Sequence, residues 1–474
     1  MEDQKTNMAY VFSITLVATL GGLLFGYDTA VISGTVNSLK INFIDPRNLN
    51  EILANSLLGF TVSSALIGCI LGGLLSGWMA LKLGRRNSMI AAAVLLIISA
   101  IGSGFPELLL APIGNNVAEF LTPFIIYRII GGIGVGLASM LSPLYIAEIA
   151  PAEKRGNLVS WNQFAIIFGM LVVYFVNWSI SRLGNESWLH AYGWRWMFFS
   201  ETIPGAIFLF LLFFVPESPR WLVMQNKESK AIAILTKING KKTAEKVLIE
   251  IKETVEGVGT SKLFSFGFFI VIIGILLSVF QQLVGINVVL YYAPEIFKNM
   301  GSTTDVSLLQ TIIVGVINLT FTIIAIYTVD RYGRKPLQII GALGMAVSML
   351  ALGFTFYFQN VGIAALVFML TYVASFAMSW GPVTWVLLSE MFPNRVRGRI
   401  MAVAVAAQWI SNYLVSWTFP MMDKSSTLTN IFHHGFAYWI YGIMGLLAAW
   451  FVWKLVPETK GKTLEEMEKL WKKH

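Results

Sequence analysis

A chain of 474 residues that is 56% hydrophobic and only 13% charged, with a mean hydropathy of +0.69, is too apolar for a soluble domain and reads as an integral membrane protein. Its net charge of +8 would suit nucleic acid, but the positive residues are sorted by side along the chain rather than gathered in a patch, which excludes that class. The single cysteine, Cys69, excludes an intrachain disulfide. With four histidines, of which His190, His433 and His434 fall in loops and His474 is terminal, and no HExxH motif, there is no constellation for catalysis or a metal.

Twelve apolar runs long enough to cross a bilayer are expected at 10–33, 54–79, 88–105, 123–146, 158–181, 197–215, 265–294, 307–329, 336–358, 361–388, 400–421 and 435–455. With both termini on one side, only Lys40, Arg47, Arg182, Arg195, Lys298 and Lys424 fall in breaks on the other side, and Arg128 lies within a run. The positive-inside rule then places the termini in the cytoplasm. The first run is too long for a signal-peptide core and contains Asp28, so it is read as retained.

A carboxylate at the depth of Asp28 costs roughly 2.5–3.5 kcal/mol on insertion scales, which makes it a functional candidate in need of a partner. Candidate partners are Arg128, which opens the fourth run, and Glu201 in the sixth. A buried ion pair that only fixes packing is the plain alternative. Burial opposes the charge on Asp28 and a nearby Arg128 favours it, so moving helices can load or release a proton there. The glycines Gly131 to Gly136 resemble a nucleotide-binding pattern, but no soluble strand precedes them, and they are read as a close helix contact. The segment from Pro216 to Lys262, rich in Lys and Glu, reads as an amphipathic linker near anionic headgroups.

The run around Ser278 to Pro294 carries Gln281, Gln282, Asn287, Tyr291 and Tyr292. A straight helix would spread the three amides over different sides; a break near Gly285 would aim them at one solute. Amides offer donors and acceptors, which suits a polyol, although interhelical glue is the competing use. The second half then repeats the first. Gly84-Arg85-Arg86 returns as Gly333-Arg334-Lys335, Glu148…Arg155 as Glu390…Arg397, and Pro216-Glu217 as Pro457-Glu458, all at nearly the same interval, about half the chain. The expected organisation is a six-span half at 1–215, a linker at 216–263, a second half at 264–456 and a tail at 457–474, which suits a carrier rocking around a site between its halves.

The motifs PESPRWL at 216–222, QQLVGIN at 281–287, DRYGRK at 330–335 and PETKG at 457–461, occurring together and in order, resemble the sugar porters of the major facilitator superfamily. FGYDTAVISG, YRIIGGIGVGLASMLSP, SWNQFAIIFG and VAAQWISNYLVSWTFPMMDK are similar to the D-xylose:proton symporters of bacteria within that family. The resemblance implies an all-α major facilitator fold in the bacterial inner membrane, a monosaccharide substrate with D-xylose foremost, and the proton as coupling ion with no cofactor. It further implies a chain that works as a monomer in the lipid bilayer. It assigns the sugar site to Gln163, Gln281, Gln282, Asn287 and Gln408, with Trp385 and Trp409 as walls and Phe25 and Tyr291 at the edge. It agrees with the reading of Asp28, with Arg128 and Glu201, as the proton-coupling group, since proton-coupled members keep an acid at the Asp28 position, and it assigns a cytoplasmic gate to Arg85, Glu148, Arg155, Arg334, Glu390 and Arg397.

Two departures bear on these roles. Leu81 stands where the family has an acid, matched by Asp330 in the second half, so a looser first gate turn is expected. Met170 stands where xylose carriers have a Gln and hexose carriers an apolar residue, which leaves a hexose proton symporter or a facilitative sugar uniporter open. A sugar sensor is the remaining alternative; sensors usually need a long signalling tail, and this chain ends soon after its last run.

Overall fold

The computed structural model describes residues 7–108, 110–114, 117–151, 154–256, 267–392 and 397–460. Among them, twelve helices are long and apolar enough to cross a bilayer. They are α1 (Met8–Gly34), α2 (Glu51–Lys82), α3 (Arg85–Gly104), α4 (Val117–Ile149), α5 (Arg155–Ser181), α6 (Glu186–Leu212), α7 (Phe268–Asn299), α8 (Thr304–Val329), α9 (Arg334–Tyr357), α10 (Ile363–Met391), α11 (Arg399–Asp423) and α12 (Gly435–Leu455). Helix is the form that satisfies every backbone group internally, which hydrocarbon demands. Each expected run falls on one of these helices. The sixth differs most: it begins at Glu186 rather than 197, because a π-helical turn, Leu189–Gly193, continues the helix through residues that read as loop. Arg195, sorted by sequence into a break, therefore lies inside a helix, where it is buried and pairs with buried Glu107 at 2.7 Å.

The ends on the side of the chain termini are called near, and the opposite ends far. Two short near-side turns, α2 to α3 and α8 to α9, are built alike. Gly84 (φ +90°) caps α3 and Gly333 (φ +93°) caps α9. Each helix start leaves N–H groups unpaired, and a carboxylate from further along the chain accepts them. Glu217 takes Arg85 N at 2.9 Å and Arg86 N at 3.1 Å, and Glu458 takes Arg334 N at 3.1 Å and Lys335 N at 3.0 Å. Glycine is needed twice over, for the left-handed φ and for room: a Cβ on Gly84 would stand 2.3 Å from Glu217 Oε2, and one on Gly333 2.8 Å from Glu458 Oε2. Between the halves, near-side helices Pro219–Met224, Glu228–Asn239 and Lys241–Glu256 share a small core of Trp221, Leu222, Val223 and Ala231.

Within the first half, α2 and α4 touch backbone to backbone. A Cβ on Gly132 would lie 1.8 Å from Ala65 O, and one on Gly68 2.0 Å from Ile129 O. The glycine run at 131–136 is thus a helix contact, as small residues in membrane helices permit. The two halves meet chiefly along α2 with α11 and α5 with α8. Counting six helices on, α2 corresponds to α8 and α5 to α11, so the two seams are related by the repeat.

Candidate functional site

The seventh helix breaks where the sequence indicates. Phe268–Leu283 and Ile286–Asn299 are separate helical segments, with Gly285 left-handed at φ +89° between them. The ring of Tyr441 lies under Gly285, 2.7 Å from where a Cβ would stand, and the Tyr372 hydroxyl donates to Val284 O at 2.8 Å, so the open turn is supported from α12 and α10. Across the break Asn287 Nδ2 donates to Gln282 Oε1 at 2.6 Å. Gln281 Nε2 donates to Trp380 O at 2.8 Å, while its Oε1 is buried without a partner. One side chain thus serves as interhelical glue through its N–H2 and keeps a free acceptor.

The other sugar-site candidates divide into those held together and those standing apart. Phe25 of α1 and Trp409 of α11 pack at 5.7 Å between ring centroids, across the halves. Tyr291 accepts from Asn412 Nδ2 at 3.4 Å. Gln163 and Trp385 are half-buried, and Gln408 keeps a buried Oε1 with no partner. Two acceptors without donors, on α7 and α11, are what a hydroxyl-rich solute would satisfy. Met170 is buried beside the α1–α5 contact, where a Cβ on Gly26 would lie 3.1 Å from Met170 N. Asn412, one helical turn beyond Gln408, escaped the sequence reading although a second amide in the same apolar run was a usable signal.

The ionisable cluster is assembled from three helices of the first half. Arg128 Nη1 donates to Asp28 Oδ1 at 2.7 Å and Nη2 to the Asp28 carbonyl at 3.3 Å. The guanidinium carbon stands 5.3 Å from the Phe198 ring centroid. Glu201 lies where α6 changes segment, between Trp194–Ser200 and Thr202–Leu212, and Asp28 and Arg128 are the charges it faces. All three residues are at most 1% exposed. Asp28 Oδ2 and both Glu201 oxygens accept from no N–H or hydroxyl group, and the two carboxyl groups stand within hydrogen-bonding reach of each other. Two carboxylates against one guanidinium leave an excess negative charge in a dry site unless one proton is held there, since an uncompensated buried charge is costly.

The near-side gate candidates form two matching networks, each internal to its half. Arg85 Nε and Nη2 donate to Glu148 at 2.8 and 2.7 Å; Arg334 Nε and Nη2 donate to Glu390 at 3.0 and 2.8 Å. Ser218 and Thr459 hydroxyls donate to the same two carboxylates. Arg155 is exposed and stands outside the first network; the side chain of Arg397 lies outside the described residues, as does that of Asp330. Where an acid was missing, Leu81 O accepts the Trp221 indole N–H at 2.8 Å, and the Arg85–Glu148 pair is drier than its counterpart.

At the far ends the halves are joined directly, which sequence did not reveal. Asn55 Nδ2 donates to Lys424 O and Trp417 Nε1 to Ser56 O, both at 3.1 Å. Ser426 N donates to Glu51 and the Thr304 hydroxyl to Glu186.

The sugar (and other) transporter family model matches residues 14–471. The D-xylose-proton symporter of Escherichia coli (strain K12) is 64% identical over 99% of this chain and 97% of its own length. The glucose facilitated diffusion protein of Zymomonas mobilis is 42% identical over 99% of both. Among solved structures, an inward open conformation of the xylose transporter XylE from E. coli matches with TM-score 0.89 at 62% identity, covering 98% of this chain and all of that one. XylE bound to 6-bromo-6-deoxy-D-glucose matches with TM-score 0.84 at 64% identity, covering 98% and 100%. The chain belongs to the sugar (and other) transporter family: it is a membrane carrier of twelve helices, not an enzyme.

Proposed function

We propose that the protein imports D-xylose by proton symport, through alternating access of a site between its halves in the bacterial inner membrane, with both termini cytoplasmic. The observation that carries the coupling is the dry Asp28–Arg128–Glu201 cluster, whose charge balances only with a proton aboard. Near ends then face the cytoplasm, in line with the sorting of Lys and Arg. The far-end bonds together with the higher match to the inward open relative support an inward-facing state. The free acceptors of Gln281 and Gln408, the Gln282–Asn287 pair and half-buried Gln163 receive sugar hydroxyls; Trp385, Trp409, Phe25 and Tyr291 frame the apolar face. The Glu148 and Glu390 networks, with Arg155 and Arg397 beside them, operate the cytoplasmic gate. No cofactor is required, and the monomer is the working unit.

In proteoliposomes, Asp28→Asn abolishes xylose accumulation under an imposed pH gradient yet retains sugar binding, because the neutral amide mimics the protonated acid. A wild-type protein unable to concentrate xylose, or an Asp28→Asn variant that still does, overturns proton symport. Gln282→Ala abolishes sugar binding in a folded, membrane-inserted protein, a cleaner test than Gln281, whose amide also ties α7 to α10. A second reading, hexose transport, is favoured by Met170. A counterflow panel of D-xylose, D-glucose, L-arabinose and D-galactose decides it, and Met170→Gln raises xylose preference over glucose if that side chain meets the sugar.

A further inference from the structure

Proline within a helix deprives the carbonyl four residues earlier of its N–H partner. In α7, Pro294 does this to Leu290. In α11, Pro420 does it to Ser416. Both sites are buried, where an unpaired carbonyl is costly, and in both a tyrosine hydroxyl supplies the missing donor. The Tyr292 hydroxyl donates to Ser416 O at 3.0 Å, and the Tyr174 hydroxyl donates to Leu290 O at 3.0 Å. The two repairs are chemically alike and differ in one respect. Tyr292 and Ser416 belong to the same half, whereas Tyr174 lies on α5 of the first half and Leu290 on α7 of the second. Tyr174 is 1% exposed, and it packs on Gly315 of α8, where a Cβ would meet its ring at 2.9 Å.

We infer that Tyr174 is a conformational latch for transport: its hydroxyl completes the proline-interrupted α7 only while the far ends of the two halves are together. Separating the far ends moves α7 away from α5 and returns the Leu290 carbonyl to needing a partner, which water entering the opened far side supplies. The hydrogen bond therefore weighs on the balance between states, not merely on folding. It also joins the stretch of α7 just past the Gly285 break, which carries Asn287 and Tyr291, to the opposite half. This rests on the alternating-access reading above.

The test places spin labels at exposed far-side positions of the two halves, Leu49→Cys and Ile431→Cys, and measures their distance distribution with and without D-xylose. Tyr174→Phe lowers the far-closed to far-open ratio about tenfold, the size of a lost buried hydrogen bond. Tyr292→Phe, losing the same bond inside one half, lowers thermal stability and leaves the ratio unchanged. Pro294→Ala returns an N–H to Leu290 O, and in that background Tyr174→Phe no longer shifts the ratio. An unshifted ratio in Tyr174→Phe, an equal shift in Tyr292→Phe, or an undiminished shift in the Pro294→Ala background overturns the latch alone. A distance distribution in the parent protein that never responds to xylose overturns alternating access and the latch with it.

Discussion

The near-side networks of the two halves share a bonding diagram and differ in wetness. Arg85 and Glu148 are 7% and 5% exposed, whereas Arg334 and Glu390 are 11% and 31% exposed. Duplication copied the donors, acceptors and capping carboxylates, but the surroundings diverged. Around the first pair, the Trp221 indole fastens the linker onto the α2 end and Arg85 Nη1 donates to Ala80 O at 2.9 Å; around the second, Lys460 Nζ fastens the tail through Arg331 O, and Arg334 Nη1 reaches Val329 O only at 3.4 Å. A bidentate pair in a dry site is costly to break because one charge is left stranded, while one open to water is screened. Closely similar geometry therefore carries unequal energy, because the first pair is the drier one.

The largest expected contrast comes from removing one partner. Glu148→Ala destabilises the protein by about 3–5 kcal/mol, because Arg85 stays buried; Glu390→Ala costs about 1 kcal/mol or less. Thermal unfolding in detergent measures both, and equal losses would break the comparison. Next come the capping glycines. Gly84→Ala and Gly333→Ala each cost about 1–3 kcal/mol through the left-handed φ, with Gly84 the worse because its carboxylate neighbour is 0.5 Å nearer, at 2.3 against 2.8 Å. An ordering reversed in unfolding midpoints would show that the surrounding turn, not the carboxylate, sets the cost. The smallest effect is ionic. Raising salt from about 0.1 to about 1 M shortens the Debye length from ~10 to ~3 Å. The penalty of Glu390→Ala should then shrink by a few tenths of a kcal/mol while that of Glu148→Ala holds; a salt-dependent Glu148 penalty would mean that water reaches the first network after all.

Much of this was legible because hydrocarbon makes unsatisfied groups conspicuous. Asp28 and Arg128, polar residues in apolar runs, had to find each other, and Gly285 between clustered amides marked the bend of α7. The doubled motifs at Gly84 and Gly333 disclosed the repeat. What stayed hidden involves partners that carry no sequence signature. Tyr372 and Tyr174 donate to main-chain carbonyls, which every residue has, so only the fold tells which carbonyl needs them. Glu107 and Arg195 were missed because a π-helical turn extends α6 through an apparently polar loop. Three of the far-end contacts join residues hundreds of positions apart through main-chain groups, beyond any local pattern.

The glycine contact between α2 and α4 has a mechanical meaning. With backbone oxygens where side chains would otherwise stand, at Gly68, Gly72, Gly132 and Gly136, no compressible layer separates the two helices, and they displace together like a welded beam. One edge of that beam, α2, bears on α11 of the opposite half; the other carries Arg128. Any rocking at the seam therefore reaches the guanidinium undamped. A lever that moves Arg128 against Asp28 by even a fraction of an ångström acts directly on their 2.7 Å ion pair, which makes stiffness here a condition for tying events at the seam to the buried charges of the first half.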